Sequence, residues 1–134
     1  MEKLLAGDHP SLATLRAQYD AAEVEGRDFT GVGFFTHYSV PAAVSVVSPQ
    51  RFQLTDLHLE LAGTAHGAGV VLFVDAGVLQ TLEVYMWAED WPAEPELTGI
   101  HYLHETAMED RGGYHVDPVQ VRDPIALARS LHVT

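Results

Sequence analysis

Residues 67–90, GAGVVLFVDAGVLQTLEVYMWAED, hold the clearest alternation of hydrophobic and polar positions in the chain. Val70-Val71-Leu72-Phe73-Val74 is apolar at every position, which predicts a central strand covered on both sides rather than an edge strand. Asp75-Ala76-Gly77 then supplies a short loop with a glycine available for a positive φ. Beyond it the run alternates. Leu82, Val84 and Met86 fall on one side, and Thr81, Glu83, Tyr85 and Trp87 on the other. The pattern predicts a β-hairpin pairing 68–74 with 79–88.

Elsewhere the periodicity changes. Leu12, Leu15, Tyr19 and Ala22 recur at spacings of three and four, preceded by Asp8 or Ser11 as a cap and closed by Gly26, which predicts an amphipathic helix. FTGVGFFTHYSV is rich in aromatic and β-branched residues and predicts a strand over 30–40, stopped by Pro41. In RFQLTDLHLELAG the alternation of Phe52 and Leu54 slips by one residue at Thr55 and Asp56 before Leu57, Leu59 and Leu61, so a bulge or two short strands is expected there. WPAEPELTG, punctuated by Pro92 and Pro95, predicts a loop, followed by a short strand near 99–104. RDPIALARSL predicts a C-terminal helix with Asp123 as N-cap and Pro124 at its first position.

Helix, strands, helix is the order of a single α+β domain over 1–134. Its mostly antiparallel sheet would contain a central hairpin, with the N- and C-terminal helices packed on one face. The other face would be open.

Charge narrows the partners. The net charge is −12, and no Lys or Arg occurs between Arg51 and Arg111, an interval holding eleven acids from Asp56 to Asp110. Such a field repels nucleic-acid backbones and anionic membrane surfaces and attracts a basic protein surface. Zero cysteines exclude disulfides, thiolate metal sites and cysteine nucleophiles, and fit a reducing, cytoplasmic compartment. The N-terminal MEKLLAGDHP lacks the apolar run of a secretory signal.

Candidate chemistry is sparse. TGIHYLHE offers His101 and His104 for a metal, but the H-x-x-H-E order does not match the zinc-hydrolase helix motif, and on a strand the two positions have opposite parity. No metal and no cofactor is implied. Glu83 interrupts an apolar strand; shielded from water it would be an acid–base candidate, with His37 and with His66 in GTAHGAG as potential partners. Tyr85, Trp87 and Trp91 add rings that stack on ligands, so Glu83, Tyr85, Trp87 and Trp91 form the candidate binding set. GVG and GAG do not extend to a dinucleotide-binding fingerprint, and no G-x-S-x-G elbow is present.

The segments TGVGFFTHYSV and HGAGVVLFVDAGVLQTLEVYMWAEDWP resemble an uncharacterised family of small bacterial single-domain proteins, in which a T-G-x-G-F-F-T strand precedes a hairpin ending in L-E-x-Y and then W-P. The resemblance spans about residues 28–92 and is carried by Thr30, Gly31, Gly33, Phe34, Phe35, Thr36, Leu82, Glu83, Tyr85, Trp91 and Pro92. It implies a shared fold and brings no activity.

These features lead to an expected function as a small acidic, non-catalytic binding module, of the inhibitor or immunity type, engaging a basic partner. Two alternatives stand beside it. One is an enzyme-like small-molecule or metal site on the open sheet face around Glu83; the other is a self-associating structural domain, in the simplest case a homodimer.

Overall fold

The computed structural model describes residues 1–48, 50–86, 89–108, 113–119, 122, 127 and 131, with backbone alone over 104–108 and 113–119. They form one helix, α1 (Pro10–Ala21), and seven strands: β1 (Glu23–Phe29), β2 (Gly33–Ser39), β3 (Phe52–Leu61), β4 (Ala68–Asp75), β5 (Val78–Met86), β6 (Leu97–Met108) and β7 (Gly113–Val119). The strands make one antiparallel sheet in the order β1-β2-β5-β4-β3-β6-β7. β4 lies at its centre, as its doubly apolar sequence requires.

The expectation of an α+β domain with a helix at each end is corrected. Among the described residues α1, of 12 residues, is the one helical element with defined bounds, Leu127 and Leu131 being single helical positions beyond β7, and the architecture is an antiparallel sheet with one helix across it. Two stretches account for the difference. Glu23–Phe29 leaves the helix at Ala22, which is already extended at ψ 151°, and pairs with β2 as an edge strand. Leu97–Met108 is far longer than the short strand expected near 99–104, and returns through β7 as a hairpin. The C-terminal helix expected from Asp123 lies outside the described residues; from that region Leu131 is buried in the core and Leu127 packs against it. No helix among the described residues is long and apolar enough to cross a membrane.

α1 begins where proline costs nothing, since Pro10 occupies the first turn and has no N–H to lose. His9 is the cap, in place of Asp8 or Ser11, and its Nδ1 accepts the Ser11 N–H at 3.1 Å. Leu12 and Leu15 point into the sheet and are fully buried. Gln18 follows on the same stripe, also fully buried, and its amide is satisfied completely: Nε2 donates to Ser45 O and Gly77 O at 2.9 Å each, and Oε1 accepts Leu79 N–H at 2.9 Å. One side chain thus fixes α1 to the β4–β5 turn.

That turn, Ala76-Gly77, has positive φ at both residues, 53° and 79°, and joins Asp75 to its partner Val78 in the tight geometry that matches strand twist. The expected slip at Thr55 and Asp56 is present, because the β3 register shifts between Leu54 and Leu57. Asp56, in the slip, is buried and meets Arg122 in a two-pronged pair, 2.7 and 2.8 Å, while Arg122 also donates to Ala6 O. The bulge thereby gathers the N-terminal segment and a residue from beyond β7.

Registry sorts the side chains into two faces. Directly paired positions share a face, so Phe52, Val74 and Leu79; Leu54, Leu72 and Leu82; and Leu57, Val70 and Val84 form three aliphatic-rich rows beneath α1 and the N-terminal Leu4 and Leu5. This is the covered face.

Candidate functional site

The opposite face is built by the intervening residues. Three rows cross β2, β5 and β4 there: His37, Thr81 and Phe73; Phe35, Glu83 and Val71; Gly33, Tyr85 and Gly69. The last row continues through His58 on β3 to His101 on β6. Glu83 is at the centre of the nine positions. Phe35 and Val71 lie directly across from it on the neighbouring strands, and Thr81 and Tyr85 lie two residues away along its own.

The glycines in this array are required by their neighbours. A Cβ on Gly69 would fall 2.4–2.8 Å from Cζ, Oη and Cε1 of Tyr85, so the ring lies across the bare backbone of β4. At Gly33 a Cβ would meet Val84 O, since β2 approaches β5 too closely to admit one. Tyr85 is half-buried, and burial, with the Glu83 carboxylate adding to it, raises its hydroxyl above the ordinary value. Its phenol is a neutral group throughout the physiological range.

Histidines and acids pair around this centre. His37 is held from both sides: Nε2 lies 2.8 Å from Asp28 Oδ2 on β1, and Nδ1 lies 3.1 Å from Thr81 Oγ1 on β5. Its ring stacks on Phe35, 6.3 Å between centroids and 3° from parallel. On the far side His101 Nε2 sits 3.0 Å from Glu60 Oε1, directly across β3 from His58. His58 has its pKa lowered by burial and by facing His101, against the opposing pull of Glu60 and of a hydrogen bond to the His66 backbone.

The sequence candidates are therefore divided. Glu83 and Tyr85 come together, and His37 is a diagonal neighbour of Glu83 with both ring nitrogens engaged, so no His37–Glu83 acid–base pair forms. His66 sits off the sheet in the β3–β4 loop. Glu89, from the connection after β5, accepts the Ala65 N–H at 3.0 and 3.1 Å and the His66 N–H at 3.2 Å. The Ala65 hydrogen bond, helped by His66, holds that carboxylate below its usual range. Trp91 lies on the other side of the sheet, edge-on to Phe34 at 5.3 Å, with its N–H bonded to Gly31 O. Trp87 lies outside the described residues. His104 is in register with Asp117 on β7 and has opposite parity to His101 along β6. Among the described residues no group of three or more His, Asp or Glu is placed to hold a metal ion.

Phe35, His58, Val71 and Phe73 join the site without a sequence signal of their own. The available clue was parity with Glu83 on a shared sheet, which needs the strand order to be useful. The covered side has an aliphatic cleft of about 640 Å³ under the N-terminal segment, lined by residues such as Leu59, Val70, Leu82 and Ile100. Lys3, which also lines it, donates to Ile100 O at 2.9 Å.

Among the described strand residues the open face carries Glu23, Asp28, Glu60, Asp75 and Glu83 and no lysine or arginine; Arg27 has the opposite parity and donates to Thr36 Oγ1. No protein-family model, curated protein or solved structure matches the chain. The two halves of the TGxGFFT and LExY pattern are hydrogen-bonded neighbours, with Phe34 opposite Val84, Phe35 opposite Glu83 and Thr36 opposite Leu82.

Proposed function

We propose that the protein is a non-catalytic binding module, of the inhibitor or immunity type, that receives a basic protein partner on the open face of its sheet. The observation carrying this reading is the composition of that face: half-buried Phe35, Phe73 and Tyr85 and buried Val71 around one carboxylate, with more acids at the margins and no described strand lysine or arginine. Apolar anchors ringed by one sign of charge supply affinity at the centre and steering at the rim. The net charge of −12 adds a long-range attraction for cationic surfaces and opposes nucleic acid and anionic lipid. A reducing cytoplasm fits the absence of cysteine.

An enzymatic reading of the same face receives less support, because His37 is committed to Asp28 and Thr81. Self-association through the β1 edge is opposed by Glu23, Glu25 and Asp28, which would meet their own copies.

A displayed library of random 12-residue peptides, selected against the full chain, tests the proposal. Enrichment of lysine- and arginine-bearing sequences is expected, with binding weakened by salt and abolished by Val71→Arg on the open face but kept by Asp20→Arg on α1. Binders indifferent to Val71→Arg, or none, would remove the basis for the reading.

A further inference from the structure

We infer that Glu83 and the rings beside it form a receptor for one guanidinium group, an arginine side chain of the partner. This rests on the binding-module reading and adds the chemistry of its central contact. The carboxylates that the described strands turn to the open face differ in what they touch, and Glu23, across from Ser39 at the β1 edge, is exposed. Asp28 is paired with His37 at 2.8 Å, Glu60 with His101 at 3.0 Å, and Asp75 accepts the Ala76 N–H at 2.8 Å. Glu83, the innermost of these, has no ion pair and no hydrogen bond to any described side chain, and no Lys or Arg of the described strands shares its face.

A half-buried carboxylate in an apolar surround has given up hydration without a partner in exchange. At a central-strand position whose cross-strand neighbours are Phe35 and Val71, a β-branched residue would pack better. The chain therefore breaks a local rule at this one position, and a bound cation would restore the balance.

The surroundings select which cation. Phe35 stands directly across β2 from Glu83, its ring held parallel to that of His37; Tyr85 stands two residues along β5, its ring laid over Gly69. Gly33 leaves the corner between Phe35 and Tyr85 without a side chain. A planar, weakly hydrated guanidinium can stack on such rings while presenting two N–H groups to the carboxylate. A lysine ammonium is more strongly hydrated and makes a single point contact.

The full chain, labelled with ¹⁵N, is titrated with N-acetyl-arginine methylamide, N-acetyl-lysine methylamide and N-acetyl-leucine methylamide. The arginine probe is expected to shift the amides of Phe35, Glu83 and Tyr85 saturably and more tightly than lysine, with leucine inert. Glu83→Gln should weaken it about tenfold or more, as loss of a charge-assisted double contact requires, whereas Asp28→Asn and Glu60→Gln leave it within about twofold. Tyr85→Leu, which keeps the carboxylate, should narrow the arginine-over-lysine preference and provides a second reading if Glu83→Gln perturbs folding. Shifts centred on Asp28 or Glu60, equal responses to arginine and lysine, or no saturable response would overturn the inference. Because the peptide selection depends on Val71→Arg rather than on Glu83, its success alongside such a result would retain the binding face and reject only the arginine receptor.

Discussion

Strands β3, β4 and β5 present two different surfaces from the same backbone. Toward α1 they offer Leu54, Leu72, Val74, Leu79 and Val84, each at most 4% exposed. On the other side β4 and β5 offer Val71, Phe73, Thr81, Glu83 and Tyr85, of which all but Val71 keep part of their surface in water. Burial of apolar area drives one surface and specifies the fold. Among the described strands the other is built of part-exposed side chains and contains a carboxylate without an ion pair to any described residue and a pair of facing histidines. Function is therefore expected where sequence and stability are at odds.

That contrast can be broken by substitution. Leu72→Ala, at a fully buried central position, should cost about 3 kcal/mol through lost transfer energy and a cavity, while Phe73→Ala one residue along should cost about half as much, because its ring is already part-wet. Urea unfolding measures both; equal losses would mean the open face is a second core. Next in size is Gln18→Ala, expected to cost about 2 kcal/mol, because it strands the Leu79 N–H and two backbone carbonyls inside the covered layer. Gln18→Leu should be no better despite its greater apolarity, since volume does not replace the three bonds.

The difference between the faces also explains which parts of the structure were legible in the sequence. A residue buried on a strand imposes period two, so the apolar run at Val70–Val74, the alternation after Val78 and the slip at Thr55 and Asp56 led to a central strand, its hairpin partner and a bulge. β1 escaped because Glu23–Phe29 is exposed along nearly its whole length, which leaves no period to read, and the helical spacing of Leu12 to Ala22 ran on toward Gly26. The strand expected near 99–104 is present, but its full extent as Leu97–Met108 escaped because pairing with both β3 and β7 is a property of distant partners. The site was half visible for the same reason. Glu83 and Tyr85 stand two apart on one strand and could be grouped by parity; Phe35, His58 and Phe73 join them only through registry. Trp91 was grouped with them by residue type, and its bond to Gly31 and packing on Phe34 put it elsewhere.

A smaller and opposite effect would sharpen the comparison. Glu83→Thr replaces a half-buried carboxylate with a β-branched residue suited to a central strand, and is expected to stabilise the protein by about 0.5–1 kcal/mol. The thermal midpoint should rise while binding of the arginine probe disappears. A loss of stability would show that Glu83 serves the fold, and would remove the argument that its burial awaits a partner.

The smallest effect concerns protons. Because burial and the facing His101 lower the pKa of His58 below its ordinary value of about 6.5, the unfolded chain takes up a proton at this site before the folded one does. Folding stability from this group is therefore complete above about pH 6.5 and declines as pH falls from there toward the depressed folded value. Below that value the loss is constant. Thermal midpoints of the parent and of His58→Gln, followed from pH 7.5 downward, should diverge in this window, with the parent falling more steeply and the variant flatter. The open face would then be the more acid-sensitive of the two surfaces. Parallel curves would mean that His58 and His101 share their charge with water rather than with each other, and that the face is wetter at β3 and β6 than at Glu83.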